Sequence, residues 1–187
     1  MSKFKLNNVQ INFPSLYEHA IFPGNTTGKY ECTVLIKKGS ENEKIIRNEL
    51  LNDPTKPSQI KTPLALLKDG DDHRDNKNDY EYYKGHFYFK LSNKNRPVTV
   101  DQGGNPIAAA DGDHPSGRFY SGCVVNLIGS IWWQNNDFGK HARANLLGVQ
   151  LVDANTEPFM GASEKVEVSD FDDLSGDSDQ KLPDFMV

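Results

Sequence analysis

The stretch that most constrains this chain is its longest run of alternating side chains. Residues 122–134, GCVVNLIGSIWWQ, place Cys123, Val125, Leu127, Ile131 and Trp133 on one face. Val124, Asn126, Ile128, Ser130 and Trp132 fall on the other. A period of two belongs to a strand, whose successive side chains point to opposite sides. The turn-forming NNDFG follows, and residues 140–153, KHARANLLGVQLVD, read as a partner strand. Two strands of this length joined by so short a connection predict an antiparallel hairpin.

The rest of the chain repeats the strand signal. In residues 3–13, Phe4 and Leu6 share one parity, while Val9, Ile11 and Phe13 share the other. The phase changes at Asn7-Asn8, which predicts a β-bulge and a bent strand. Residues 29–37 form a second strand, with Tyr30, Cys32, Val34 and Ile36 on one face and Glu31, Thr33 and Lys37 opposite. Ser40 followed by Glu43 matches a capping box, opening a short helix whose buried stripe is Ile45, Ile46 and Leu50. Pro54, Pro57 and Pro63 end it. Residues 85–93, GHFYFKLSN, turn Phe87, Phe89 and Leu91 inward and His86, Tyr88 and Lys90 outward. RPVTVD adds a short strand and QGGNP a turn.

About six strands, one helix and long loops, with no βα alternation, exclude a doubly wound sheet. The expected fold is mainly β: an OB-fold-like, partly open antiparallel barrel with one short helix. An open β-sandwich is the structural alternative.

Charge divides the chain. From Glu164 to Val187 there are eight acids and two bases, leaving nineteen bases against eighteen acids in the body. The net charge of −5 therefore belongs to the C-terminus. We expect a domain over residues 1–160 and a flexible acidic tail over 161–187. No apolar run approaches the roughly 20 residues of a membrane span, and the lysine-bearing N-terminus has no secretory apolar core. Cys32 and Cys123 lack a CxxC partner and read as buried free thiols, which fits a cytoplasmic protein.

No catalytic motif is visible. DGDDHRDNKNDY departs from a calcium loop, with Arg74 and Tyr80 where Gly and Glu are needed. Its carboxylates (Asp69, Asp71, Asp72, Asp75) support an alternative reading, a Mg²⁺-dependent nuclease. The five histidines show no metal-ligand spacing, and neither a nucleophile elbow nor a phosphate loop occurs. No cofactor or resident metal is expected.

A binding signal is plainer. YEYYKGHFYFKLSNKNRP interleaves tyrosines and phenylalanines with Lys84, Lys90, Lys94 and Arg96. Single-stranded nucleic acid is held in this way, its bases stacked on aromatic faces and its phosphates tracked by cations. Parity separates ligand-facing from core residues. Tyr88 and Lys90 point away from Phe87 and Phe89. Trp132 lies opposite its strand's apolar face, and Arg143 shares a face with His141 and Asn145.

The blocks LKDGD, GHFYFKLSNKNRP and YSGC, in that order, resemble the bacteriophage-encoded single-stranded DNA-binding proteins, over about residues 1–155. The resemblance implies an OB-fold, no enzymatic activity, an acidic C-terminal tail, and coating of exposed strands in replication or recombination in the host cytoplasm. Strand parity, rather than the resemblance, gives base stacking to Tyr88 and Trp132, with Tyr82 or Tyr83 beside them. Phosphate contact falls to Lys90, Lys94, Arg96, Lys140 and Arg143. Single-stranded DNA is the expected partner, with no membrane and with self-association open. The tail, through Asp170, Asp172, Asp173, Asp184 and Phe185, is expected to compete with DNA and recruit replication proteins. Met186 and Val187 follow Phe185, where similar tails end on the aromatic. A structural virion β-protein is the remaining alternative.

Overall fold

The Asn7-Asn8 phase change is a bulge in the computed structural model, which describes residues 3–22, 25–72, 81–107, 119–153 and 155–159. Strand β1 spans Lys3–Ser15, and its register against Val124–Asn136 shifts between Leu6 and Val9. Asn8 sits at φ 52°, a left-handed conformation that asparagine tolerates better than most residues. The shift lets Phe4, Leu6, Val9 and Ile11 all enter the core despite their opposed parities. The Asn7 N–H donates to Asn42 Oδ1 at 3.0 Å, and Asn42 Nδ2 donates back to the Asn7 carbonyl at 2.8 Å. Phe13 departs from the expected pattern. A second shift between Asn12 and Ser15 turns it outward, 56 % exposed, and buries Asn12 instead.

The loop after β1 carries β2 (Ile21–Phe22) and β3 (Asn25–Thr26), which pair with each other. β4 is Tyr30–Lys37 and α1 is Glu41–Asn52. Ser40 caps α1 by accepting the Glu43 N–H at 3.3 Å. The expected reciprocal bond moves by one residue: Glu43 accepts from the Gly39 N–H at 2.6 Å, because the Ser40 N–H already donates to the Lys37 carbonyl. Ile46 and Leu50 are fully buried, and Ile45 packs at the margin of the core. β5 (Lys68–Asp69), β6 (His86–Asn93), β7 (Val98–Val100), β8 (Val124–Asn136) and β9 (Gly139–Asp153) follow. The six anticipated strands are present, and the other three described are two-residue pairs.

β1 pairs antiparallel with β4 and β8, β4 with β6, and β8 with β9. The circle closes where β6 meets β9 in parallel, at Leu91 and Ala144. This five-strand path is that of an OB barrel, with α1 in the connection between β4 and β6. The seam is thin. β8 and β9 pair along their whole length, whereas β6 and β9 share one register pair.

Leu6, Ile11, Val34, Ile36, Leu91, Val125, Leu127 and Leu146 fill the barrel. Gly129 is the one position on β8 where a side chain has no room. A Cβ there would stand 2.5 Å from the Phe4 ring and 2.8 Å from Leu91. Both cysteines are free and buried. Burial drives the Cys32 thiol far above its ordinary value and Cys123 to about 11, so both stay protonated and inert. No helix among the described residues is long and apolar enough to cross a membrane.

Candidate nucleic-acid interface

A cleft of about 540 Å³ runs along the thin seam of the barrel. Strand alternation builds it. Thr33 on β4, Tyr88, Lys90 and Ser92 on β6, Trp132 on β8 and Arg143 on β9 all take the parity opposite the core. Trp132 and Arg143 are direct partners across the β8–β9 ladder, and Thr33 stands opposite Lys90. The Arg143 Nε donates to Gln134 Oε1 at 3.1 Å, which aims the guanidinium along the hairpin. Lys68, paired in register with Tyr88, holds its ammonium 5.9 Å from that ring's centre. Lys29 completes the lining. Four cations, a histidine and two accessible aromatic rings thus face one groove, and no Asp or Glu lines it among the described residues. Low-dielectric walls lined by one sign of charge focus the field and draw in a polyanion.

Four of the residues expected at the interface therefore come together: Tyr88, Lys90, Trp132 and Arg143. Lys90 is not idle, since its Nζ lies 2.7 Å from Glu31 Oε1. The others lie elsewhere. Tyr83 is 3 % exposed, its hydroxyl accepting from Asn12 Nδ2 at 2.7 Å, so its ring is walled off from any base. It stands edge-on to Tyr88 at 4.8 Å and acts as that ring's support. Tyr82 is stacked on Phe159 outside the cleft. Lys94 is exposed in the turn after β6, and Arg96 lies 4.5 Å over the Tyr17 ring. Lys140 is exposed near the hairpin tip, opposite Asn135. Asp170, Asp172, Asp173, Asp184 and Phe185 lie outside the described residues.

Three positions escaped the sequence reading. Lys29 shares the parity of Glu31 and Thr33, so alternation carried the signal. Lys68 depends on the β5–β6 pairing, which no local pattern announces. Phe138 is 91 % exposed at the tip of the β8–β9 hairpin. A large aromatic set in a turn, where polar and small residues dominate, was the available clue.

The acidic loop is otherwise occupied. The Lys38 ammonium bridges Asp69 and Asp71, and the Gly85 N–H donates to Asp71 at 2.8 Å. The hydrogen bond from Lys38, with backbone N–H donors, holds both carboxyls below the usual range. Lys38 thus already offsets part of the charge of these two carboxylates. Asp75 lies outside the described residues, among which no group of three metal-ligating side chains occurs.

A family described as the Enterobacter phage Enc34 ssDNA-binding protein matches residues 2–182. Protein p50 of Acyrthosiphon pisum secondary endosymbiont phage 1 is 31 % identical, the alignment covering 96 % of this chain and 98 % of that one. Among solved structures, the single-stranded DNA-binding protein from bacteriophage Enc34 in complex with ssDNA superposes with a TM-score of 0.65. It is 23 % identical and covers 84 % of this chain and 89 % of its own. The gp2.5 single-stranded DNA binding protein encoded by bacteriophage T7 superposes at 0.52, with 15 % identity, over 89 % of this chain and 98 % of its own. These two likenesses carry the fold. The chain belongs to the single-stranded DNA-binding protein family of Enterobacter phage Enc34.

Proposed function

We infer that this protein binds single-stranded DNA with little regard to sequence, through the seam cleft, without a chemical step. The observation that carries the reading is the cleft lining: two reachable aromatic rings among four cations, with no Asp or Glu in the lining among the described residues. Tyr88 and Trp132 stack bases, each worth roughly 1–3 kcal/mol and open to any base because every base has a π-face. Lys29, Lys68, Lys90 and Arg143 meet phosphates. Lys90 exchanges the Glu31 carboxylate for a phosphate oxygen, so its contribution is a difference between two ion pairs. Phe138 and Lys140 extend the surface at the hairpin tip, the loop that OB barrels commonly bring to oligonucleotides.

In this reading residues 1–160 form the binding domain, and the protein coats exposed strands during phage replication or recombination in the host cytoplasm. The acidic segment 161–187 competes with DNA for the cleft and recruits partner proteins through Asp184 and Phe185, supported by Asp170, Asp172 and Asp173. The charge partition of the sequence supports that role.

The test is a titration with oligo(dT) followed by tryptophan fluorescence, at low and high salt, with and without residues 164–187. Binding should quench Trp132. Affinity should fall with salt along a logarithmic slope near −3, about 0.7 for each of four phosphate contacts. Truncation should tighten binding. Absence of binding by either form at low salt would sink the reading; equal affinity of the two forms would remove only the tail's role.

A further inference from the structure

Phe159 closes the described part of the chain, and it is not a loose end. Its ring lies 4.5 Å from that of Tyr82, with 24° between the planes. That is the offset-stacked arrangement a nucleobase adopts on a tyrosine. Phe159 is 5 % exposed and shares a small cluster with Leu35 and Tyr83, against which Tyr82 and Tyr88 pack. This cluster is separate from the barrel interior. Leu35 has the outward parity of β4 and is the register partner of Tyr88. Tyr88 also lines the seam cleft. The Phe159 seat is therefore a lateral continuation of the cleft, across the outer face of β4 and β6.

The seat is built to receive this segment. The Phe159 N–H donates to the Ser121 carbonyl at 2.9 Å. Thr156 Oγ1 donates to the Gly122 carbonyl at 2.8 Å, and the Tyr120 hydroxyl donates to the Thr156 carbonyl at 2.6 Å. Gly122 adopts φ +108°, and a Cβ there would come within 2.8 Å of the Glu157 carbonyl. The backbone comes this close only because glycine stands there.

We propose that the face of the Tyr82 ring covered by Phe159 is a nucleobase subsite, filled by Phe159 in the free protein and vacated when DNA arrives. The proposal rests on the single-stranded DNA reading above. Removing Phe159 without replacement would bare Leu35 and the Tyr82 ring to water. A base entering as Phe159 leaves restores the stack, so the exchange is nearly balanced and a modest excess of binding energy drives it. Phe159 stands five residues before Glu164, the first acid of the C-terminal segment. Exchange thus shifts the anchor of the charged segment at the moment DNA binds. By linkage, recapture of Phe159 opposes DNA by the same factor.

The experiment follows fluorescein-labelled oligo(dT) by anisotropy at fixed salt, with wild type, Phe159→Ala, Tyr82→Ala and the double variant. Phe159→Ala should bind about two- to tenfold tighter, the factor set by losing one aromatic stack. Tyr82→Ala should bind more weakly, and Phe159→Ala should have no effect in its background. On wild type, saturating oligo(dT) should accelerate chymotryptic cleavage after Phe159, read by mass spectrometry. Unchanged or weaker binding by Phe159→Ala with its thermal midpoint retained, or cleavage indifferent to oligo(dT), overturns the proposal. If Phe159→Ala does not fold, Phe159→Leu keeps apolar cover without the stack and should still bind tighter than wild type; equal affinity overturns the proposal. Wild type that binds no oligo(dT) defeats the DNA reading itself, whereas wild-type binding with an inert Phe159→Ala defeats this subsite alone.

Discussion

Trp133 donates its indole N–H to Asp53 Oδ2 at 2.7 Å, whereas its neighbour Trp132 opens onto the cleft opposite Arg143. One residue of parity separates a tryptophan bonded to the helix end from one that lines the cleft. Trp132→Ala should weaken oligo(dT) binding by about 1–3 kcal/mol and leave the denaturation midpoint almost unchanged. Trp133→Ala should do the reverse, lowering stability by about 3 kcal/mol through lost packing and the lost bond to Asp53 Oδ2. Equilibrium denaturation and titration on the same two variants separate the roles. Arg143→Gln should flatten the salt dependence of binding by about one phosphate contact, measured as the slope of log affinity against log salt. At this scale the sequence was legible wherever alternation alone decides direction, as at Tyr88, Lys90, Trp132 and Arg143. It was not legible at Tyr82 and Tyr83. They lie in a short 3₁₀ turn, where period-two reasoning has no purchase, and distant residues, Asn12 and Phe159, decide which ring is covered.

Among the elements, β8 shows how a strand accommodates a crowded interior. Its register against β9 shifts between Ile128 and Gly129, and Gly129 lies against Phe4 and Leu91. Gly129→Ala should cost about 1–3 kcal/mol by overpacking, seen as a lower denaturant midpoint at unchanged slope. The bulge of β1 and the β8–β9 hairpin were readable because each is written in contiguous residues. The helix cap was half readable. Ser40 takes its expected role, but the partner of Glu43 moved to Gly39 once the Lys37 carbonyl claimed the Ser40 N–H. Closure of the barrel by β6 on β9 was expected only as a fold class. Its register depends on residues more than 50 positions apart, and nothing local specifies it.

For the molecule as a whole, acid should act through a few held carboxylates. Burial works to raise the Asp53 carboxyl, but bonds from Thr55 and from Trp133 hold it below its ordinary value of 3.8. Asp69 and Asp71 are held down by Lys38. Each pKa is lower in the folded chain than in the unfolded one. The stability they supply is thus complete above the ordinary carboxylate range and drains away as pH falls through the folded values. Thermal midpoints should be flat from pH 5 to 7 and drop below about pH 4, with Asp53→Asn blunting part of the drop. The place of β1 between β4 and β8 has a different consequence, one of timing. β4 is made soon after β1, but the other partner, β8, sets Ser130 opposite Lys3, roughly 130 residues downstream. At roughly 5–20 residues per second, a ribosome leaves that flank of β1 unpaired for about 6–25 s. During that interval the nascent chain offers an open strand edge, and the cleft does not exist until β9 has been made.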